Sequence, residues 1–131
     1  MKDLGEKKKS ILVVDDIPFT RNSLKELINK TDWAEVLAEA SNGVDAINLY
    51  KELKPDLVIM DILMSDMGGI VAIEKIIKID RKAVILAVSG LDKSNLIELA
   101  HKKGAKAFIK KPYKIDLFLK KVKELLTNSE I

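Results

Sequence analysis

Four short runs of apolar residues recur along this chain, and charged or hydroxyl side chains follow each of them. The runs cover residues 11–14, 57–60, 84–88 and 107–109. An unbroken apolar run of this length is typical of a strand covered on both faces, as in a parallel sheet. The polar residues that follow are, in chain order, Asp15 with Asp16, Asp61, Ser89 and Lys111. The pattern therefore predicts four buried strands whose ends carry polar groups.

Segments with helical spacing of apolar residues separate these runs. Pro18 suits the first turn of a helix, and Gly104 stands where a helix end favours a left-handed backbone. The last helix is expected to bury Ile115, Phe118, Leu119, Val122 and Leu126. With one more strand over 35–40, five strands alternate with five helices, placed at 18–30, 44–54, 70–77, 94–103 and 114–127. This alternation predicts an α/β fold, a doubly wound parallel sheet with helices on both faces.

Composition narrows the class of protein further. A chain of 131 residues can form one domain with its own core, and we expect that domain over 10–128, after a flexible polar lead-in over 1–9. The absence of cysteine excludes disulfides and thiolate metal sites. No apolar stretch approaches the ~18 residues that span a bilayer. We therefore expect no membrane association and a cytoplasmic location.

Lysines are concentrated towards the carboxyl end of the chain. Between His101 and Lys123 there are nine lysines and one acidic residue, Asp116. Such an excess can attract an acidic partner, or it can form a solvated face that keeps the protein in solution. The segment has no arginine and no interleaved aromatic stacking platforms. We favour the solvated face and expect no direct nucleic-acid binding by this domain.

The three aspartates at strand ends form the strongest candidate for a site. Ligands bind beyond the carboxyl ends of parallel strands, where the strand order reverses. If the first and third strands flank that point, Asp15, Asp16 and Asp61 converge, and their carboxylates repel one another. A divalent cation relieves this repulsion, and oxygen ligands without cysteine or clustered histidine favour Mg²⁺. Each aspartate alone would be an ordinary turn residue; the joint pattern predicts a magnesium site.

Taken together, these motifs closely resemble the receiver domain of two-component response regulators, in particular its single-domain, chemotaxis-regulator-like members. The resemblance extends from Ile11 to about Leu126. It rests on the order and spacing of four segments, residues 11–16, 55–61, 84–90 and 108–113, together with Gly69. The family resemblance implies a flavodoxin-like (βα)5 three-layer sandwich with strand order 2-1-3-4-5.

The resemblance also implies a role for each site residue. Asp61 would accept a phosphoryl group from a sensor histidine kinase or a histidine phosphotransfer protein. Asp15, Asp16, Asp61 and the backbone carbonyl of Leu63 would bind Mg²⁺. Ser89 would hydrogen-bond the phosphoryl group, and Lys111, before an expected cis peptide at Pro112, would pair with its charge. These groups match the needs of phosphoryl transfer, namely a carboxylate nucleophile, a metal ion, a cation and a hydrogen-bond donor.

The same resemblance implies a switch. Movement of Ser89 would let Phe108 rotate inward, and the surface formed by the fourth helix, fifth strand and fifth helix would report the change to a downstream protein target. Phe108 could equally be an ordinary core aromatic. The domain would catalyse its own phosphorylation and its own slow dephosphorylation, but its product would be a conformational state.

Several positions depart from the family pattern. Ser65 replaces a usual proline, and Gly68-Gly69 replaces a common Asp-Gly pair, so we expect a looser loop after Asp61. Leu63 and Leu91, each two residues beyond a site residue, are apolar and cannot position a water molecule. We therefore expect slow hydrolysis and a long-lived phosphorylated state.

Two other classes of function remain open. The fold could serve as a protein interaction module without phosphorylation, although the intact set of Asp15, Asp16, Asp61, Ser89 and Lys111 argues against this. An aspartyl-nucleophile phosphatase would need a second aspartate two residues after Asp61, where this chain has Leu63. The first strand also lacks a glycine-rich phosphate loop.

Overall fold

The computed structural model describes residues 7–64, 67–91 and 94–128, and there five strands alternate with five helices as predicted. The elements are β1 (Lys9–Val14), α1 (Pro18–Asn29), β2 (Ala34–Ala40), α2 (Gly43–Leu53), β3 (Leu57–Asp61), α3 (Gly69–Ile79), β4 (Ile85–Ser89), α4 (Ser94–Lys103), β5 (Ala107–Lys110) and α5 (Ile115–Asn128). The apolar runs of β1, β3 and β4 are buried because these inner strands are covered on both faces of the sheet. The fourth run, in β5, is only half-buried, contrary to the expectation of four buried strands, because β5 is an edge strand with a neighbour on one side only.

The strands form one parallel sheet in the order β2-β1-β3-β4-β5. The chain turns from β2 back across β1 to β3, so the strand order reverses between β1 and β3. In such sheets a crevice opens at this point, beyond the carboxyl ends of the strands. The doubly wound, flavodoxin-like order 2-1-3-4-5 is therefore confirmed.

Alternate side chains of the sheet feed two cores, one on each face. On one face Leu12, Val14 and Met60 pack with residues of α2, α3 and α4. On the other face Ile11, Val13 and Ile59 pack with α1 and α5, which contribute Leu24, Ile28, Phe118, Val122 and Leu126. Burial on both faces makes the sheet a rigid platform for the side chains at its edge.

Local signals act at the helix ends. Pro18 is in the first turn of α1, and Asn42 caps α2 by accepting a hydrogen bond from the Asp45 amide at 2.8 Å. Gly104, after α4, has φ +126°, and a Cβ there would also collide with the Ile77 side chain. Glycine is thus required at this position both by the backbone angle and by packing.

The structure corrects some boundaries and one burial assignment. β1 begins at Lys9, inside the expected lead-in, and residues 1–6 of that lead-in lie outside the described residues. β4 begins at Ile85 rather than at residue 84. Ile115 is not buried but is 58% exposed, because it is the first residue of α5 and the buried face of that helix begins one turn later, at Phe118. In the described part of the chain, no helix has the length and apolar character needed to cross a bilayer.

Candidate functional site

Asp61 ends β3 at the crevice between β1 and β3. Asp61 is only 6% exposed, and its Oδ1 accepts a hydrogen bond from the Leu63 amide at 3.2 Å. The Gly69 amide donates to the Ile62 carbonyl at 2.9 Å, which brings the start of α3 against the end of β3. A Cβ at Gly69 would collide with the Asp61 carbonyl oxygen. The glycine therefore permits a backbone contact, and its role is close packing rather than added flexibility.

Asp15 and Asp16 follow β1 and face Asp61 across the crevice. Asp15 is 1% exposed, and its Oδ1 accepts a hydrogen bond from the Ile17 amide at 2.9 Å. Carboxylate oxygens of Asp15, Asp16 and Asp61, one from each, all lie within 4.8 Å of one another. The convergence expected from the parallel sheet is thus present in the structure.

Lys111 brings a positive charge to this cluster from the loop after β5. Its Nζ lies 3.4 Å from Asp15 Oδ2 and 3.9 Å from Asp61 Oδ2. The Lys111 amide donates to the Ser89 carbonyl at 2.7 Å, and the peptide bond to Pro112 is cis. The ammonium group therefore contacts two of the three aspartates.

Ser89 ends β4 beside this site. The residue is fully buried, and its Oγ accepts a hydrogen bond from the Leu91 amide at 3.1 Å. The hydroxyl proton is not used in that bond, so it can be donated to another acceptor. Phe108, on the adjacent strand β5, is half-buried and packs against the core formed with α2, α3 and α4. A half-buried aromatic can occupy either an inward or an outward position.

Burial and like charge determine the protonation of Asp61. Burial raises the pKa of its carboxyl from 3.8 to about 6. The Asp15 and Asp16 charges act in the same direction, while the Lys111 ammonium and the Leu63 amide oppose the rise. The positive charge thus offsets only part of the cost of a buried carboxylate, and in the metal-free site Asp61 titrates near neutral pH.

Three exposed apolar residues, each two positions after a site residue, donate their backbone amides to the site side chains. Ile17 is 51%, Leu63 50% and Leu91 41% exposed. None of these side chains carries a donor or acceptor that could orient a water molecule. The expected effect of Ser65 on the neighbouring loop lies outside the described residues.

The structure brings Asp15, Asp16 and Asp61 within 4.8 Å of one another and places Lys111 against Asp15 and Asp61, with Ser89 at the end of the neighbouring strand. It also reveals two contacts that the sequence did not predict. The Gly69 contact with β3 depends on tertiary packing. Arg21 of α1 donates a hydrogen bond to the Asp15 carbonyl at 2.7 Å. In the sequence, Arg21 could be noticed only as a basic residue in the first turns of the helix that follows Asp15 and Asp16.

The chain is thus a doubly wound α/β domain with an acidic cluster, a lysine and a buried hydroxyl at the carboxyl ends of its strands, where such sheets bind their ligands. Comparison with known proteins identifies the family within this class. The sequence matches the response regulator receiver domain family over residues 11–123. The chain belongs to this family.

Similar proteins of known sequence are CheY chemotaxis proteins. The CheY of Thermotoga maritima is 49% identical over 105 residues, which cover 80% of this chain and 87% of that protein. The CheY of Bacillus subtilis is 42% identical over 116 residues, covering 88% and 96% of the two chains. Among solved structures, the CheX–CheY–BeF3–Mg²⁺ complex of Borrelia burgdorferi matches with a TM-score of 0.85 and 31% identity, covering 89% of this chain and 88% of that one. The chain is therefore a CheY-like receiver domain.

Proposed function

We propose that this chain is a phosphorylation-controlled response regulator in which Asp61 accepts a phosphoryl group from a sensor histidine kinase or a histidine phosphotransfer protein. One observation carries the proposal: a buried carboxylate at the end of β3 lies 3.9 Å from the Lys111 ammonium and shares its site with two further carboxylates. A structural role would not require three carboxylates to gather against their mutual repulsion.

The transfer step uses the ionised form of Asp61. A carboxylate oxygen attacks phosphorus, an O–P bond forms as the N–P bond of the phosphohistidine breaks, and the electron pair passes to the imidazole nitrogen, which takes up a proton. With a pKa of about 6, most molecules carry an ionised Asp61 at pH 7. Lys111 and the Ser89 hydroxyl are placed to stabilise the negative charge on the transferred group.

The donor set fits Mg²⁺. Asp15, Asp16 and Asp61 provide converging carboxylate oxygens, and the backbone carbonyl of Leu63 is proposed as a further ligand. When bound, the ion neutralises the carboxylate repulsion and the charge of the phosphoryl oxygens. In support, the related CheY of Borrelia burgdorferi was crystallised with BeF3 and magnesium.

The output of the domain is proposed to be a change in the α4–β5–α5 surface, recognised by a downstream protein target. Ser89 would move towards the phosphoryl group, and Phe108, half-buried on β5, would rotate into the space that Ser89 leaves. Phe108 pairs with Ala87, two residues before Ser89 on the neighbouring strand β4, so the proposed coupling spans only a short distance along the sheet.

Intact-mass measurement with acetyl phosphate and Mg²⁺ tests the proposal. The wild-type chain should gain one phosphoryl group, while Asp61→Asn should gain none. Asp56→Asn is the matched control, because Asp56 precedes the opposite end of the same strand and hydrogen-bonds only Ser10 in the contacts described. It should be phosphorylated like the wild type.

The alternative outcomes are distinct. Phosphorylation that persists in Asp61→Asn would place the acceptor elsewhere. A wild-type chain that binds Mg²⁺ but gains no phosphoryl group would favour an interaction module that uses the fold without phosphorylation.

A further inference from the structure

Arg21 joins the site to the edge of the sheet. Its Nη1 donates to the Asp15 carbonyl at 2.7 Å, and its Nε lies 3.3 Å from Glu39 Oε1 on β2. The Arg21 side chain is only 18% exposed, and Glu39 is 26% exposed. A guanidinium held by two acceptors in a partly buried place has little freedom to move.

The contacts form a closed ring through three elements. The Asp15 amide donates to the Ala40 carbonyl at 3.1 Å, and Ala40 directly follows Glu39 on β2. One hydrogen bond therefore joins the Asp15 amide to β2, and the Arg21 side chain joins β2 to the Asp15 carbonyl through two more. Both backbone hydrogen-bonding groups of Asp15 are thus fixed relative to β2.

The carbonyl of Asp15 lies in the peptide plane that connects the two neighbouring aspartates. A peptide unit is planar, so a fixed Asp15 carbonyl also fixes the direction in which the Asp16 backbone leaves that plane. The Ile17 amide, one residue further, holds Asp15 Oδ1 at 2.9 Å. The orientation of both carboxylate residues therefore depends on this short turn.

We propose that Arg21 is a positioning residue, which orients Asp15 and Asp16 for cation binding by fixing the peptide plane between them. The inference rests on the magnesium site of the proposed function. Arg21 does not contact the cation in this proposal; it acts through the Asp15 carbonyl, with Glu39 as its anchor. Outer contacts of this kind change metal affinity by about 10- to 100-fold in other proteins.

A purely electrostatic effect of Arg21 on Mg²⁺ affinity has the opposite sign from a positioning effect, so an experiment can distinguish the two. Removal of a positive charge beside a cation site should strengthen Mg²⁺ binding, whereas removal of a positioning contact should weaken it. The double variant Arg21→Met with Glu39→Gln removes one charge of each sign and leaves the net charge unchanged. Lys25→Met is the matched control, since Lys25 lies on the same helix, 3.4 Å from Glu39 Oε2, and is 47% exposed.

The experiment measures the Mg²⁺ dissociation constant of the full chain by NMR titration, with urea unfolding in chelator beside it. We expect the double variant to bind Mg²⁺ about 10-fold more weakly, and Lys25→Met to stay within about twofold of the wild type. Arg21→Lys, which keeps the charge and one donor group, should recover part of the loss. The amide signals of Asp16 and Ile17 should shift in the metal-free double variant and not in Lys25→Met.

Unchanged or tighter Mg²⁺ binding by the folded double variant would overturn the positioning role. If the double variant unfolds, Arg21→Lys provides the comparison at unchanged net charge, and wild-type affinity with unshifted Asp16 and Ile17 amide signals in that variant would overturn it. Failure of the wild-type chain to bind Mg²⁺ would instead disprove the magnesium site of the proposed function, and the inference with it.

Discussion

Replacement of Asp61 by asparagine should stabilise the metal-free protein, although it removes a carboxylate that accepts a hydrogen bond from the Leu63 amide and lies 3.9 Å from the Lys111 ammonium. The carboxyl is buried beside Asp15 and Asp16, and its pKa rises from 3.8 to about 6 in the folded chain. Ionisation of this group therefore opposes folding. Because one pKa unit corresponds to about 1.36 kcal/mol, the ionised carboxylate costs about 3 kcal/mol of stability above both pKa values.

The direction of the pH dependence follows from the raised pKa. Below pH 3.8 the group is protonated in both the folded and the unfolded chain, so no stability is lost. Between that value and about pH 6 the folded chain still holds a proton that the unfolded chain has released, so the free energy of unfolding falls as pH rises. Asparagine does not titrate, and the advantage of Asp61→Asn should grow by about 2 kcal/mol between about pH 4.5 and about pH 8.

Urea unfolding in the presence of a chelator, followed by Trp33 fluorescence and circular dichroism at both pH values, measures this difference. Added Mg²⁺ should reverse it near pH 8, because a cation that binds the wild type and not the variant stabilises only the wild type. Equal stability of the two chains at both pH values, or a wild type that is more stable in chelator, would refute the reasoning that burial and carboxylate repulsion dominate this site.

Three further predictions concern the residues around Asp61. Lys111→Met should slow phosphorylation by acetyl phosphate by about 100-fold, as removal of one charge-stabilising donor does in other active sites. A rate within a few-fold of the wild-type rate, measured by intact-mass time courses, would exclude a role for the Lys111 ammonium, which lies 3.4 Å from Asp15 and 3.9 Å from Asp61. Leu63→Gln should accelerate loss of the phosphoryl group severalfold, because the glutamine amide can orient a water molecule and the half-exposed leucine cannot. A half-life of only seconds for the phosphorylated wild type at neutral pH would contradict the expectation of slow hydrolysis. Gly69→Ala should lower the free energy of unfolding by about 1–3 kcal/mol through its collision with the Asp61 carbonyl, whereas Gly90→Ala, with open space at its Cβ, should change it little in the same urea titration.

Much of the fold follows from local pattern. The apolar runs that form β1, β3 and β4 have no polar interruption, and only a sheet covered on both faces buries such runs completely. The run of β5 looks the same in the sequence but is only half-buried, because its place at the edge of the sheet is set by the strand order. Helix signals such as Pro18 and the Asn42 cap act within a few residues, so they can be read without tertiary information. Ile115 shows the limit of this reasoning: its spacing matches the buried face of α5, but that face begins only at Phe118, one turn into the helix.

Some features of the candidate site likewise follow from the sequence, and others depend on the tertiary structure. The sequence alone determined which residues lie at strand ends, because alternating strands and helices place every strand end on the same edge of a parallel sheet. Only the tertiary structure decided that three carboxylates converge within 4.8 Å, that Lys111 contacts two of them, and that burial raises the pKa of Asp61. The contacts of Gly69 with Asp61 and of Arg21 with the Asp15 carbonyl also belong to the fold, since they join elements whose distance and orientation no local pattern specifies.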